Sequence, residues 1–313
     1  MSRYLAITGG VGGAKLALGL THLLPADELA FVVNTGDDFE HLGLHVSPDL
    51  DTLMYTLSGL SNPDTGWGRV HESWNFIDTL RTLGGEDWFN LGDRDLAVHV
   101  LRTAMLRAGQ PLDAVTRHLY TTLGVAHAAW PMSNDRVATE VVTADGRLAF
   151  QHYFVRERCA PRVTHIEFAG AADARVQPEV LAWLGAADLA GVVICPSNPF
   201  LSVDPLLALP ALRSALAACH APVVAVSPIV GGEAIKGPTA KIMAELGLPL
   251  DAGAVAAHYA GLIDGFIVDA CDAALVERIA HADLAVIAAP SVMRTLDDRI
   301  NLAHTALEFL GTF

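Results

Sequence analysis

The feature that most constrains this chain is a run of four glycines set directly behind its first apolar segment. Residues 4–8 read as a short buried strand that ends in Gly9-Gly10-Val11-Gly12-Gly13-Ala14-Lys15. Leu16, Leu18, Leu20, Leu23 and Leu24 then mark one apolar face of a helix over residues 15–24, and residues 29–34 read as a second strand. Strand, glycine turn, helix and strand together open a parallel sheet. Glycines at this place let the backbone approach a ligand closely and aim N–H groups at an anion. The run fits neither common phosphate motif. Lys15 stands where the dinucleotide fingerprint needs its third Gly or Ala, and Leu16 stands where a P-loop needs Ser or Thr. It is read as a phosphate-type turn of its own kind, with Gly10, Gly12, Gly13 and Lys15 facing the anion; a plain tight turn is the alternative.

Beyond the second strand the pattern changes. Apolar spacing over residues 50–57, 76–83, 96–106 and 112–123 predicts a mainly helical insertion at about 48–135. Two strand-like runs around Asp145-Gly146 predict a hairpin at about 137–156, and residues 164–168 add a further strand. Alternation then resumes, with buried strands at 192–195, 223–226, 265–268 and 284–288 and helices between them. The expected fold is α/β: a single Rossmann-like catalytic domain over 1–313, built on a doubly wound, mostly parallel sheet with a helical and β-hairpin insertion. Ligands of such sheets bind outside the carboxyl ends of the strands.

Composition narrows the function. Of the 313 residues, 52% are hydrophobic and 18% charged, enough for a sizeable core. The richest apolar run, residues 185–195, is interrupted by Asp188 and falls short of the roughly 20 residues a bilayer span needs. The N-terminus passes almost at once into a strand pattern rather than a secretory leader. The expectation is a cytoplasmic protein with no membrane partner. A net charge of -15 argues against nucleic acid. Cys159, Cys195, Cys219 and Cys271 show no metal or redox spacing and are read as small core residues.

An acidic protein that binds phosphate must use backbone N–H donors or a divalent cation held by carboxylates. The carboxylates are present. Asn34-Thr35-Gly36-Asp37-Asp38 ends the second strand, and Ser47-Pro48-Asp49-Leu50-Asp51-Thr52 opens a helix. Asp37 and Asp51 together are read as magnesium ligands, while Ser47 and Asp49 are also candidate helix caps. His41 and His45 lack a third ligand and are read as surface or packing histidines. A second polar cluster, Asn90 to Asp95, precedes a later helix, where Asp93 or Asp95 could cap and Arg94 could pair. Trp67, Trp74 and Trp88 lie upstream of it, suited either to stacking on a heterocycle or to ordinary packing. Pro196-Ser197-Asn198-Pro199 and Ser227-Pro228 form stiff turns after buried strands, and Lys236 is a candidate point charge for a diphosphate or a solvent-facing lysine.

Taken in order, these motifs resemble the 2-phospho-L-lactate transferase (CofD) family, which makes the precursor of coenzyme F-420. The resemblance rests on GGVGGAK at 9–15, NTGDD at 34–38, SPDLDT at 47–52, LGDRD at 91–95, PMSNDR at 131–136, PSNP at 196–199 and SPI at 227–229. It implies magnesium-dependent transfer of a phosphorylated three-carbon acid from a guanosine diphosphate donor to the ribityl alcohol of the deazaflavin Fo, with GMP leaving. The glycine turn, Asn34, Ser197, Asn198 and Pro199 would then hold the donor nucleotide. Asp51 aligns with a deazaflavin-contacting aspartate, and Asn90, Asp93, Arg94 and Asn134 are expected on the same substrate. Asn90 departs from the basic residue expected before LGDRD. Asp51 or Asp49 would take the alcohol proton, a role that competes with metal binding. The resemblance also suggests a homodimer. It leaves the acid open among phospholactate, phosphoenolpyruvate and phosphoglycerate. The rival readings are a nucleotide-sugar-binding regulator of the gluconeogenesis-factor type and an NAD-dependent dehydrogenase. Asn34 counts against the dehydrogenase, because it stands where a ribose-binding acid belongs.

Overall fold

The computed structural model describes residues 2–235 and 237–313; Lys236 therefore lies outside the described residues. Seven strands form one sheet: β1 (Arg3–Thr8), β2 (Leu29–Val33), β3 (Ala128–Pro131), β4 (Leu189–Ile194), β5 (Val223–Val226), β6 (Gly265–Asp269) and β7 (Ala285–Ala289). Their spatial order is β7-β6-β5-β4-β1-β2-β3, and every neighbouring pair is parallel. Short apolar, β-branched runs suit a sheet covered on both faces. Alternate residues feed two cores: Leu5, Ile7, Ala30, Val32, Val192 and Ile194 point to one, and Ala6, Phe31, Val33, Val193 and Cys195 to the other. The second core is closed by α1 (Gly10–Leu23) and the C-terminal helix Leu296–Leu310, through Leu16, Leu20, Leu302 and Ala306.

The chain leaves β1 toward β2 and β3 on one side and returns through β4 to the other. The strand order reverses between β1 and β4, which makes the crevice outside their carboxyl ends the topological switch point of the sheet.

The structure departs from the sequence reading at several elements. The helix after β1 begins at Gly10, so the glycines form its first turn rather than a loop ahead of it. Four helices do lie in the first insertion, α2 (Pro48–Leu57), α3 (Asn75–Thr82), α4 (Asp93–Arg107) and α5 (Leu112–Thr122). However, β3 falls inside the range read as helical and pairs with β2, Ala30 opposite Ala128. Its Pro131 is tolerated because β3 is the edge strand. The hairpin pairs Ala138–Thr143 with Gly146–Ala149, and Val163–Ala169 adds a third antiparallel strand. Residues 150–155, expected to extend the hairpin, curl into a helical turn at His152–Arg156 instead. That turn drops Tyr153 into the core at 0% exposure and stacks Phe150 on Phe154. His41 and His45 sit on opposite strands of a small hairpin, Phe39–His41 with Leu44–Val46. His41 packs against Trp88 and Phe89, as expected for a packing histidine. Among the cysteines, burial pushes the Cys195 thiol up to about 12, whereas Cys271 is exposed and not a core residue. No single helix among the described residues is long and apolar enough to cross a bilayer.

Candidate active site

A cleft of about 870 Å³ opens at the switch point. Its floor is the first turn of α1 and the loop after β4. One wall comes from the loops after β5 and β7, and the other from the two insertions, with Trp67, Phe89, Asn90, Phe150, Gln151 and Phe154. A second cavity of about 900 Å³ lies at the amino ends of β5, β6 and β7, beside Val223, Asp264 and Leu284. Among the described residues, none of the site residues expected from sequence lines it.

The glycine run is required by close approach. Gly10 has φ +63°, a conformation glycine adopts without strain. A Cβ on Gly12 would run into the carbonyl oxygen of Pro196. The loops on either side of the switch point are stitched together: Gly9 N–H donates to Ser197 Oγ at 3.2 Å, and Ser197 Oγ donates to Gly9 O at 2.8 Å. Asn198 Oδ1 accepts from the N–H groups of Phe200 and Leu201 at 3.0 and 3.2 Å, which fixes the turn Pro199–Val203. Lys15 Nζ donates to Met293 O at 2.9 Å and ties α1 to the loop after β7. Gly10, Gly12, Lys15, Ser197 and Asn198 thus line the cleft, while Gly13, Asn34 and Pro199 lie behind it. Asn34, expected on the nucleotide, is wholly buried. Its Nδ2 donates to Asp49 Oδ2 at 2.9 Å and to Leu201 O at 3.2 Å, and its Oδ1 accepts from Gly36 N–H at 2.8 Å. Both N–H donors and one acceptor lone pair of that amide are thus engaged, one of the donors by Asp49.

Two carboxylates face the cleft, Asp37 at 6% and Asp49 at 7% exposure. Asp49 Oδ1 also accepts from Gly10 N–H at 2.8 Å. Burial, and then the charge of Asp49, holds the Asp37 carboxyl well above the usual range. Burial pushes Asp49 up to about 6, against the pull of its bonds to Asn34 and Gly10. Among the described residues, Asp37 Oδ1 is buried without a hydrogen-bond partner. An orphaned carboxylate oxygen beside a second strained carboxylate fits a divalent cation, whose charge would relieve both. Asp38 turns aside and accepts from Ser47 Oγ at 2.7 Å, with His45 Nε2 at 3.1 Å.

Asp51 lies apart from Asp37 and Asp49. Two residues past Asp49 on α2, it points about 200° round the helix and does not line the cleft. It is clasped by both terminal nitrogens of Arg102, with Nη1 at 3.0 Å, and His99 Nδ1 lies 3.7 Å away. Asp95 joins the cluster through Tyr55 Oη at 2.6 Å and His99 Nε2 at 3.3 Å. Asp51, Asp95 and His99 present ligand atoms within 4.8 Å of one another, but the Arg102 guanidinium already neutralises Asp51 there. The structure therefore brings Asp37 together with Asp49, and not with Asp51, as a carboxylate pair.

Of the residues expected on the deazaflavin, Asn90 alone reaches the cleft. Asp93 accepts from Ser73 Oγ at 2.7 Å, Asn75 Nδ2 at 2.9 Å and Phe76 N–H at 3.0 Å; it caps α3, and these bonds pull its carboxyl down to about 2. Arg94 is exposed, and its N–H donates to Glu72 Oε2 at 2.8 Å. Asn134 exchanges two 2.9 Å bonds with Asp113 and caps α5. Trp67 lines the cleft, whereas Trp88 packs with Phe39, His41 and His152 behind it. Sequence reasoning missed Phe150, Gln151, Phe154 and Arg294, all of which line the cleft. The i, i+4 spacing of Phe150 and Phe154 was the available signal, hidden by the strand reading.

A family model described as 2-phospho-L-lactate transferase CofD matches residues 5–295. A phosphoenolpyruvate transferase of Streptomyces griseus subsp. griseus is 42% identical over 312 residues, 98% of each chain. Proteins of the same name from Nocardia farcinica and Mycobacterium sp. (strain KMS) are 36% and 38% identical; the matches cover 99% and 87% of this chain and 95% and 89% of theirs. A solved protein of the upf0052 family from Bacillus halodurans superposes with a TM-score of 0.62 at 14% identity, covering 98% of this chain and 99% of that one, a likeness of fold alone.

Proposed function

The chain belongs to the 2-phospho-L-lactate transferase (CofD) family and is a phospho-acid transferase, and on that premise we propose that it moves phosphoenolpyruvate from a guanosine diphosphate carrier to the alcohol of the deazaflavin Fo, releasing GMP, in the assembly of coenzyme F-420. The observation that carries the reading is the position of Asp37 and Asp49, between a phosphate-facing helix terminus and an aromatic wall. The choice of acid is supported by the relatives' name, held by proteins matched over nearly their whole length.

In this reading the first turn of α1 receives the diphosphate. Gly10 N–H is taken by Asp49, but Val11 and Gly12 line the cleft, and the first N–H groups of a helix have no intrahelical acceptor. Lys15, in the next turn of α1, adds a cation at the cleft. The alcohol oxygen attacks the phosphorus that bears the acid, the bond from that phosphorus to the oxygen bridging it to GMP breaks, and the alcohol gives up its proton. Transfer of this kind depends mostly on positioning and charge neutralisation. Asp37, whose Oδ1 meets no hydrogen-bond donor among the described residues, would hold a magnesium ion, which supplies neutralisation of the phosphate oxygens. Asp49, the other cleft carboxylate, is then left to accept the alcohol proton, a role it could not fill as a magnesium ligand. Asn34 and Gly10 N–H hold that carboxylate in place.

The test is direct. The purified protein is incubated with magnesium, Fo and the guanosine diphosphate ester of each candidate acid, and products are followed by mass spectrometry. A phosphodiester of Fo with GMP in equal amount, formed fastest from the enolpyruvate donor, is the expected result. No product from any donor, while GDP still raises the melting temperature, would leave a nucleotide-binding protein without this activity and refute the proposal.

A further inference from the structure

Gln151 is 5% exposed and lines the cleft, yet among the described residues its side-chain amide has no hydrogen-bond partner. The amide is not sealed off: its polar atoms open onto the cleft, where a ligand can take the place of water. Its surroundings are apolar and flat. Phe150 and Phe154 flank it in sequence and stack with ring centroids 5.4 Å apart and planes 12° from parallel. Phe154 is 38% exposed, and Phe89 and Asn90 line the same cleft. The helical turn at His152–Arg156, which replaces the expected strand, sets both phenylalanines and Gln151 along the cleft.

A primary amide offers one acceptor and one donor side by side. That pair complements the adjacent C=O and N–H of a lactam or imide on a planar heterocycle, with aromatic faces available for stacking. Resting on the transferase reading above, we propose that Gln151 binds the lactam edge of the acceptor's ring and is the residue that selects an acceptor carrying such an edge. Guanine carries a lactam edge too. The acceptor is favoured because Gln151 belongs to the insertion wall, whereas nucleotides of doubly wound sheets lie over the switch-point loops, here the glycine turn and Pro196 to Asn198.

The experiment uses the full chain and two variants, Gln151→Leu, which removes the amide, and Gln151→Glu, which keeps its shape but has only acceptors near neutral pH. Binding of Fo and of GDP is measured by calorimetry, and KM for Fo and for the donor by product formation with magnesium. Both variants should weaken Fo binding and raise its KM by about tenfold to a hundredfold, with GDP affinity and donor KM within about twofold of the parent. The melting temperature of Gln151→Leu should not fall, because no internal bond is lost. Unchanged Fo binding in both variants would overturn the assignment. Weakened GDP binding with Fo unaffected would move the amide to guanine and equally overturn it. If the parent binds Fo but forms no product, the transferase reading fails while the calorimetric comparison still decides on Gln151; if it does not bind Fo, both fall.

Discussion

Asp49→Asn removes a charge that the fold resists while keeping the side chain's volume. In the cation-free protein the Asp49 carboxyl rises from an ordinary 3.8 to about 6 on folding. An acid raised in this way contributes stability that is fully present below 3.8 and is lost as pH climbs through about 6. By neutral pH the loss is about 3 kcal/mol. Asparagine cannot ionise and escapes that loss. It pays elsewhere: Asp49 accepts from Gly10 N–H at 2.8 Å and Asn34 Nδ2 at 2.9 Å, and an amide with one oxygen keeps only one of these bonds, at a cost of about 1.5 kcal/mol at every pH. The variant should therefore be more stable than the parent by about 1.5 kcal/mol at pH 7.5, and the advantage should be gone at pH 4.5, a swing of about 2 kcal/mol. Urea unfolding in EDTA at several pH values between these limits measures it. A stability difference that stays constant across the range would refute the argument, since the hydrogen-bond loss alone has no such pH dependence. With magnesium, Fo and donor present, the same variant should lose turnover despite its greater stability.

Arg102→Met strands the Asp51 carboxylate, which is 5% exposed; urea unfolding should show a loss of about 3–5 kcal/mol, and adding Asp51→Asn should restore much of it. Gly12→Ala places a methyl group against the Pro196 carbonyl oxygen, and calorimetry should find weaker GDP binding together with a stability loss of about 1–3 kcal/mol. Magnesium should raise the melting temperature of the parent protein and leave that of Asp37→Asn unchanged; a rise in both would show that the ion is held elsewhere.

The local part of this architecture was legible. The β–α–β opening could be read because apolar periodicity and a glycine run are properties of neighbouring residues. Strand β3 escaped because four residues, Ala128–Pro131, are too few to show a period, and their identity as a strand comes from pairing with β2. The turn at His152–Arg156 escaped because Phe150, Tyr153 and Phe154 suit a helix or a strand until something decides where Tyr153 is buried. Asp93 was legible as a polar residue at a helix start and Asn134 as part of a polar loop before the hairpin, but the sequence could not say that the helix ends they cap would absorb their hydrogen bonds.

By itself the sequence determined the fold class, the place of the glycine turn and the stock of carboxylates near it. It also determined the family, through motifs that each span only a few residues. The tertiary structure decided which carboxylates lie together at the cleft. Asp49 and Asp51 are indistinguishable as letters two positions apart. The phase of α2 and the Arg102 guanidinium, 51 residues further on, withdraw Asp51 from the cleft. Asn34, from the end of β2, and Gly10 N–H keep Asp49 in it. A buried charge is governed by the partner it meets in space, and separation along the chain carries no record of that distance.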